Sequence, residues 1–155
     1  MRVQVAQPED TESWLRLAAE VEDLFGPMVD EPSFMGALRR NIERGSAFCI
    51  RESDGPAGAP LLAGVLFSPK PPSYRIGWIS VAQTHRRQGL GTALMAHVVK
   101  LVQAPAELSV TTFGPDVPAG EPARAFYLAA GFAPAEMVDD GPEGGARQVF
   151  RKPID

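Results

Sequence analysis

Two glycines stand two residues apart in the stretch His85-Arg86-Arg87-Gln88-Gly89-Leu90-Gly91-Thr92-Ala93-Leu94, with paired arginines before them and an apolar helix-forming run after. Glycine lets a ligand approach the backbone closely and adopts left-handed conformations closed to most residues. The unpaired N–H groups in a helix's first turn, with the helix dipole, attract an anion. Arg86 and Arg87 would add charge-assisted contacts, and Thr92 a hydroxyl. The stretch is therefore a candidate phosphate cradle. Two common phosphate loops do not fit it. A dinucleotide fingerprint requires a third glycine where Leu94 stands, and a Walker loop ends in Gly-Lys-Ser/Thr, whereas Gly91-Thr92 lacks the lysine.

Other residues with chemical potential are few. Cys49 is the single cysteine and lies in the apolar run Ala47-Phe48-Cys49-Ile50, so it reads as a buried strand residue. One cysteine excludes an intrachain disulfide and a cysteine cluster, and the presence of only two histidines argues against a His-rich centre; no metal is expected. His97 falls beside Leu90, Leu94 and Leu101 on a helical wheel and reads as an interior histidine rather than a base. Tyr74, Ile76, Trp78 and Ser80 alternate along one strand, so they read as one side of it, either core or cleft. Glu22, Asp23, Asp30 and Glu31 gather near a helix junction, and Asp116 and Glu121 precede the run containing Tyr127. None of them is singled out as a general base.

These residues must be positioned by regular elements. Arg2 to Ala6 alternates like a half-buried strand. Pro8 to Thr11 suits a helix start, and Trp14, Leu17, Ala18, Val21, Leu24 and Phe25 give one helical face that Gly26-Pro27 stops. A second helix begins near Pro32, carries Phe34, Leu38 and Ile42, and ends at Gly45. Residues 47–51 and 61–67 read as a hairpin, 74–81 as a longer strand, and 89–103 as a helix. A strand at 107–112, a helix at 123–130, a strand from Phe132 and a strand at 147–152 complete the order βααβββαβαββ. Hairpins followed by helical crossovers predict an α+β layered domain, a mixed central sheet flanked by helices on both faces.

The length of 155 residues suits one domain, 1–155, without internal repeat. A net charge of -4 argues against a general nucleic-acid binder. No apolar run approaches a membrane span, and "MRVQVAQPED" lacks the apolar region of a secretory signal, so a cytoplasmic protein with no membrane partner is expected.

The residues Arg86-Arg87-Gln88-Gly89-Leu90-Gly91 match the signature Q/R-x-x-G-x-G/A, and here the chain resembles the GNAT superfamily of acyl-CoA-dependent N-acyltransferases. "WISVAQTHRRQGLGTALM" is similar to that family's fourth strand, pyrophosphate loop and following helix. "EPARAFYLAAGFAPAE" is similar to its A-x-x-x-Y-x-x-x-G-F motif, placed about 36 residues further on. The resemblance implies a GNAT-like fold and acetyl-CoA as co-substrate. It implies that backbone amides from Arg87 through Gln88, Gly89, Leu90 and Gly91 to Thr92 hold the pyrophosphate, with Arg86 beside them. The main chain of Ile79, Ser80 and Val81 would pair with the pantetheine arm, and Tyr127 would protonate the departing thiolate. Two positions depart from the family: Gly120 stands where an asparagine is common, and Gln83 where a proline is usual.

The reading that follows is an acetyl-CoA-dependent N-acetyltransferase acting directly on a primary amine of a small molecule or peptide. The acidic residues near the first two helices favour a cationic acceptor. A CoA-sensing module that keeps the cradle without turnover is the alternative; a nucleotide-binding regulator is disfavoured by the missing lysine. Strand edges near the C-terminus could pair two subunits as a homodimer.

Overall fold

The computed structural model describes residues 1–155. Its elements are β1 Gln4–Val5, α1 Thr11–Ala19, α2 Glu22–Phe25, α3 Pro32–Arg44, β2 Ala47–Arg51, β3 Leu61–Ser68, β4 Ser73–Val81, α4 Leu90–Leu101, β5 Ala106–Phe113, α5 Glu121–Ala129, β6 Ala133–Val138 and β7 Arg147–Ile154. The seven strands form one mixed sheet in the order β1-β2-β3-β4-β5-β7-β6. Only β4 and β5 run parallel, because α4 crosses over between them; every other neighbouring pair is antiparallel.

Each sheet face carries its own core. On one side α4 and α5 bring Leu94, Val98 and Tyr127 against Val65, Ile76, Leu108 and Phe150. On the other, α1 and α3 bring Trp14, Leu17 and Leu38 against Ala47, Cys49 and Leu66. The apolar spacing of each helix therefore decides which face it covers. Cys49 is fully buried, and burial pushes its thiol pKa up to about 12, as befits a core residue.

Three expectations need correction. The first helix is not continuous to Phe25: it ends at Ala19, and a tight turn at Glu20–Val21 precedes the single turn α2. The break buries Val21 with Ala18 and Met28 and brings Phe25 to stack on Phe113, 5.0 Å between centroids. His97 is half-buried at the border of its stripe, its ring 4.6 Å from that of Phe48. Partial burial, assisted by Lys100, lowers its pKa. The third correction concerns β4. Leu66 lies opposite Trp78, but the next residue, Phe67, lies opposite Ile76, so Gly77 is an extra residue in the strand. This bulge reverses the alternation. Tyr74 and Ile76 face α4, whereas Trp78 faces α1 and α3, near Trp14 and Phe34.

Candidate active site

The cradle forms where β4 hands over to α4. Arg86, Arg87, Gln88 and Gly89 are exposed, and the chain enters the helix through two left-handed residues, Arg87 (φ 62) and Gly89 (φ 79). Left-handed residues in such a turn direct neighbouring N–H groups toward one concavity, an arrangement suited to anions. The first helical bond is donated by Ala93 to Gly89, so the N–H groups of Leu90, Gly91 and Thr92 have no intrahelical acceptor. No side chain caps them. The two glycines serve different needs. Gly89 meets nothing within 4 Å and is required by its φ, whereas a Cβ on Gly91 would stand 3.2 Å from Phe126 and 3.7 Å from Val81.

The sheet opens beside this cradle. Pairing between β4 and β5 covers only Ser73–Ile76 against Glu107–Val110. Beyond it, β4 stays with β3 while β5 stays with β7. The Ala82 N–H donates to the Leu62 carbonyl at 2.7 Å, which fixes the parity of the β3–β4 ladder. Opposed residues exchange both bonds at every second position of an antiparallel pair. Ser80 therefore directs its peptide groups at Gly64, and Ile79 and Val81 turn theirs into the gap. The Val81 carbonyl there accepts from Arg86 Nε at 3.3 Å.

Helix α5 closes the other side of the gap. Phe126 approaches Gly91, so α5 lies against the start of α4, and Tyr127 shares a core cluster with Leu90 and Leu94 of that helix. The Tyr127 ring is 5 % exposed and packs edge-on to Phe126 and Phe132. Burial alone pushes its hydroxyl pKa above the ordinary tyrosine value. At the foot of this helix, a Cβ on Gly120 would lie 2.2 Å from Phe113 Cβ. The Phe113 ring occupies the space that a side chain at 120 would need.

On the opposite face, the segment after α2 borders the bulge of β4. The Glu22 carboxylate accepts from the N–H groups of Met28 (2.7 Å) and Val29 (3.0 Å), which lowers its pKa. Met28 Sδ in turn receives the Trp78 Nε1 proton at 3.3 Å. Glu22 is thus engaged in holding a loop, while Asp23, Asp30, Glu31, Asp116 and Glu121 are exposed. Gln83 puts to use the proton a proline would lack: its N–H donates to Glu20 Oε1 at 3.0 Å, tying the cradle's approach to the end of α1.

The structure brings the cradle, Ile79, Val81 and Tyr127 to one region, and places Ser80's main chain on the far side of the strand. Sequence reasoning did not identify Phe126, Phe113 and the Glu22 latch as parts of its walls. Gly77, a glycine inside a strand, was the signal for the bulge.

The sequence model of the Acetyltransferase (GNAT) family matches residues 9–132. No curated protein matches the chain at a significant level. Solved structures resemble it over nearly its whole length. A protein of Desulfovibrio desulfuricans assigned to the GNAT family is 22% identical, with TM-score 0.75 over 99% of this chain and 98% of that one. A ribosomal-protein-alanine N-acetyltransferase of Brucella melitensis is 15% identical, with TM-score 0.74 over 99% and 100%. An Arabidopsis thaliana protein in complex with the bisubstrate analogue CoA-Ac-MVNAL is 15% identical, with TM-score 0.73 over 98% and 97%.

Proposed function

The chain belongs to the GNAT acetyltransferase family, and on that premise we propose that it is an N-acetyltransferase moving the acetyl group of acetyl-CoA to a primary amine. The observation carrying this reading is the juxtaposition of free helix-start amides with a strand whose peptide groups face an open gap. Amides from Arg87 to Thr92 hold the pyrophosphate, and Arg86 adds charge beside them. Ile79 and Val81 pair through their main chains with the pantetheine arm, while Ser80 between them anchors the strand to β3. The Val81 N–H polarises the thioester carbonyl as negative charge develops.

Transfer forms a C–N bond, breaks the C–S bond and leaves a thiolate to be protonated. Tyr127 is the general acid at that sulfur. Its buried setting keeps it protonated at neutral pH, and the proton lost by the attacking amine restores it through water. A phenol whose pKa lies above 10 is a weaker acid than a thiol near 8.5, so donation is coupled to C–S cleavage and does not precede it. That places its effect toward the low end of the roughly 10²–10⁴-fold typical of acid catalysis. The exposed Asp23, Asp30 and Glu31, within and after α2, favour a cationic acceptor, a small-molecule amine or the amine of a peptide.

The test is thiol release from acetyl-CoA over a panel of amines, for the wild type and Tyr127→Phe. We expect kcat to fall about 10²-fold in the variant while the Kd for acetyl-CoA is retained. Retained kcat would remove Tyr127 from the chemistry. Cofactor binding without turnover of any amine would favour the sensing module, and no binding would overturn the whole reading.

A further inference from the structure

Arg147 opens β7 opposite Phe113, the last residue of β5, beyond the point at which β4 has left that strand. Its guanidinium lies 4.4 Å over the Phe113 ring and 5.9 Å from that of Phe25. Phe25 also packs on the cluster of Ala18, Val21 and Met28 that Trp78 borders. Arg147 thus reaches over the β5 wall of the gap, on the face opposite α4 and α5. The ring beneath it fixes the plane of the guanidinium and leaves hydrogen bonding to its edge. There Nη2 donates to Glu143 Oε2 in the loop between β6 and β7, while Nη1 is buried without a partner. The side chain is only 10 % exposed, and a buried donor left unpaired is costly enough to need a reason. That one loop covers it. A Cβ on Gly141 would stand 2.6 Å from Nη2, and Pro142 closes against the end of α2, 2.9 Å from a Cβ on Gly26. The loop turns at Gly144, whose φ is 87 and which has nothing within 4 Å, so the turn has room to move.

We propose that Arg147 determines specificity by receiving a carboxylate of the acceptor, which is an amino acid and not a plain amine; the inference rests on the N-acetyltransferase reading above. Nη1 and Nη2 together match both oxygens of a carboxylate, a fit that Glu143, bound through Nη2 alone, leaves unused. Glu143 holds the place in the free protein and moves off with its loop as the acceptor's carboxylate takes both nitrogens. The exposed Asp23, Asp30 and Glu31 suit the ammonium of the same acceptor. A plain polyamine would leave Arg147 idle.

Thiol release from acetyl-CoA over a panel of α- and ω-amino acids, each paired with its carboxamide, tests this in the full-length protein. The wild type should prefer the acid of the best pair, in kcat/KM, by about ten- to a hundred-fold, the worth of a hydrogen-bonded charge. The preference should vanish in Arg147→Met and return in part in Arg147→Lys. Glu143→Gln should lower KM for the acid and not for the amide, because it removes the competing carboxylate; this variant carries the test if Arg147→Met fails to fold. A purely structural ion pair would shift acid and amide alike. Equal use of acids and amides, turnover of carboxylate-free amines alone, or a Glu143→Gln effect shared by both members of a pair would overturn the assignment and leave the acetyltransferase reading intact. Turnover of no amine of any kind would overturn both.

Discussion

Asp10 is fully buried and still ionised, because its carboxylate has four donors. Arg51 Nη2 and Nε reach it at 2.6 and 3.0 Å, and the N–H groups of Gln7 and Gly58 at 2.8 and 2.9 Å. Burial alone would raise its pKa; these bonds outweigh burial and lower it. Arg51 Nη1 also donates to Gln4 Oε1, so the network ties β1 to β2 and to the start of α1. Arg51→Met leaves a buried carboxylate without its cation, a change that costs about 3–5 kcal/mol. Urea unfolding at neutral pH should show that loss. A folded pKa below the unfolded value of about 4 means the stabilisation is present above pH 4 and is lost as pH falls through the folded value. In the variant, burial no longer opposed by Arg51 raises the Asp10 pKa above its wild-type value, so the gap between the two proteins should narrow as pH falls from the variant's folded value to the wild type's. A gap that stays constant with pH would mean that Arg51 acts by packing alone.

At the scale of elements, β4 and α5 show where reading from sequence succeeds and where it stops. Strand and helix types followed from periodicity and from glycine and proline stops, and Gly89-Leu90-Gly91 marked the turn into α4, where φ at Gly89 and the approach of Phe126 to Gly91 both favour glycine. Alternation along β4 was misassigned past Ile76, since one extra residue at Gly77 sends Trp78 to the other core. The single helical face drawn through Phe25 failed for a related reason: residues far apart in sequence, Phe25 and Phe113, set the break. The departure at 120 was legible as a letter but not as a cause. Phe113 fills that space, its Cγ 2.5 Å and Cδ2 2.8 Å from a Cβ built on Gly120. Restoring the family's common residue should therefore do harm. Gly120→Asn should destabilise by about 1–3 kcal/mol through overpacking, and Phe113→Ala in the same chain should relieve part of it. Thermal unfolding of the two single variants and the double variant reads this coupling. Additive losses would show that the two sites do not meet.

For the molecule as a whole, the question is how a sheet can open in its middle and remain folded. The answer lies in the two cores. Tyr74 and Ile76 of β4 share one cluster with Leu108 and Val110 of β5, so the paired half of the seam is held from the α4–α5 side. Trp14, Leu38 and Leu66 hold the other face of β3 independently of β5. Separation after Ile76 therefore breaks no core; it leaves the peptide groups of Ile79 and Val81 without sheet partners. Hydrogen exchange should show this directly. In the free protein the amides of Ile79 and Val81 should exchange much faster than those of Trp78 and Ser80, whose partners are Leu66 and Gly64. Addition of desulfo-CoA should slow Ile79 and Val81 and leave Trp78 and Ser80 as they were, because an arm paired along the gap supplies acceptors only on that side. Four amides equally protected before ligand would mean that the strands close in solution. Fast exchange at Ile79 and Val81 that survives saturation would place the arm elsewhere, and the gap would then be a feature of the fold without a part in binding.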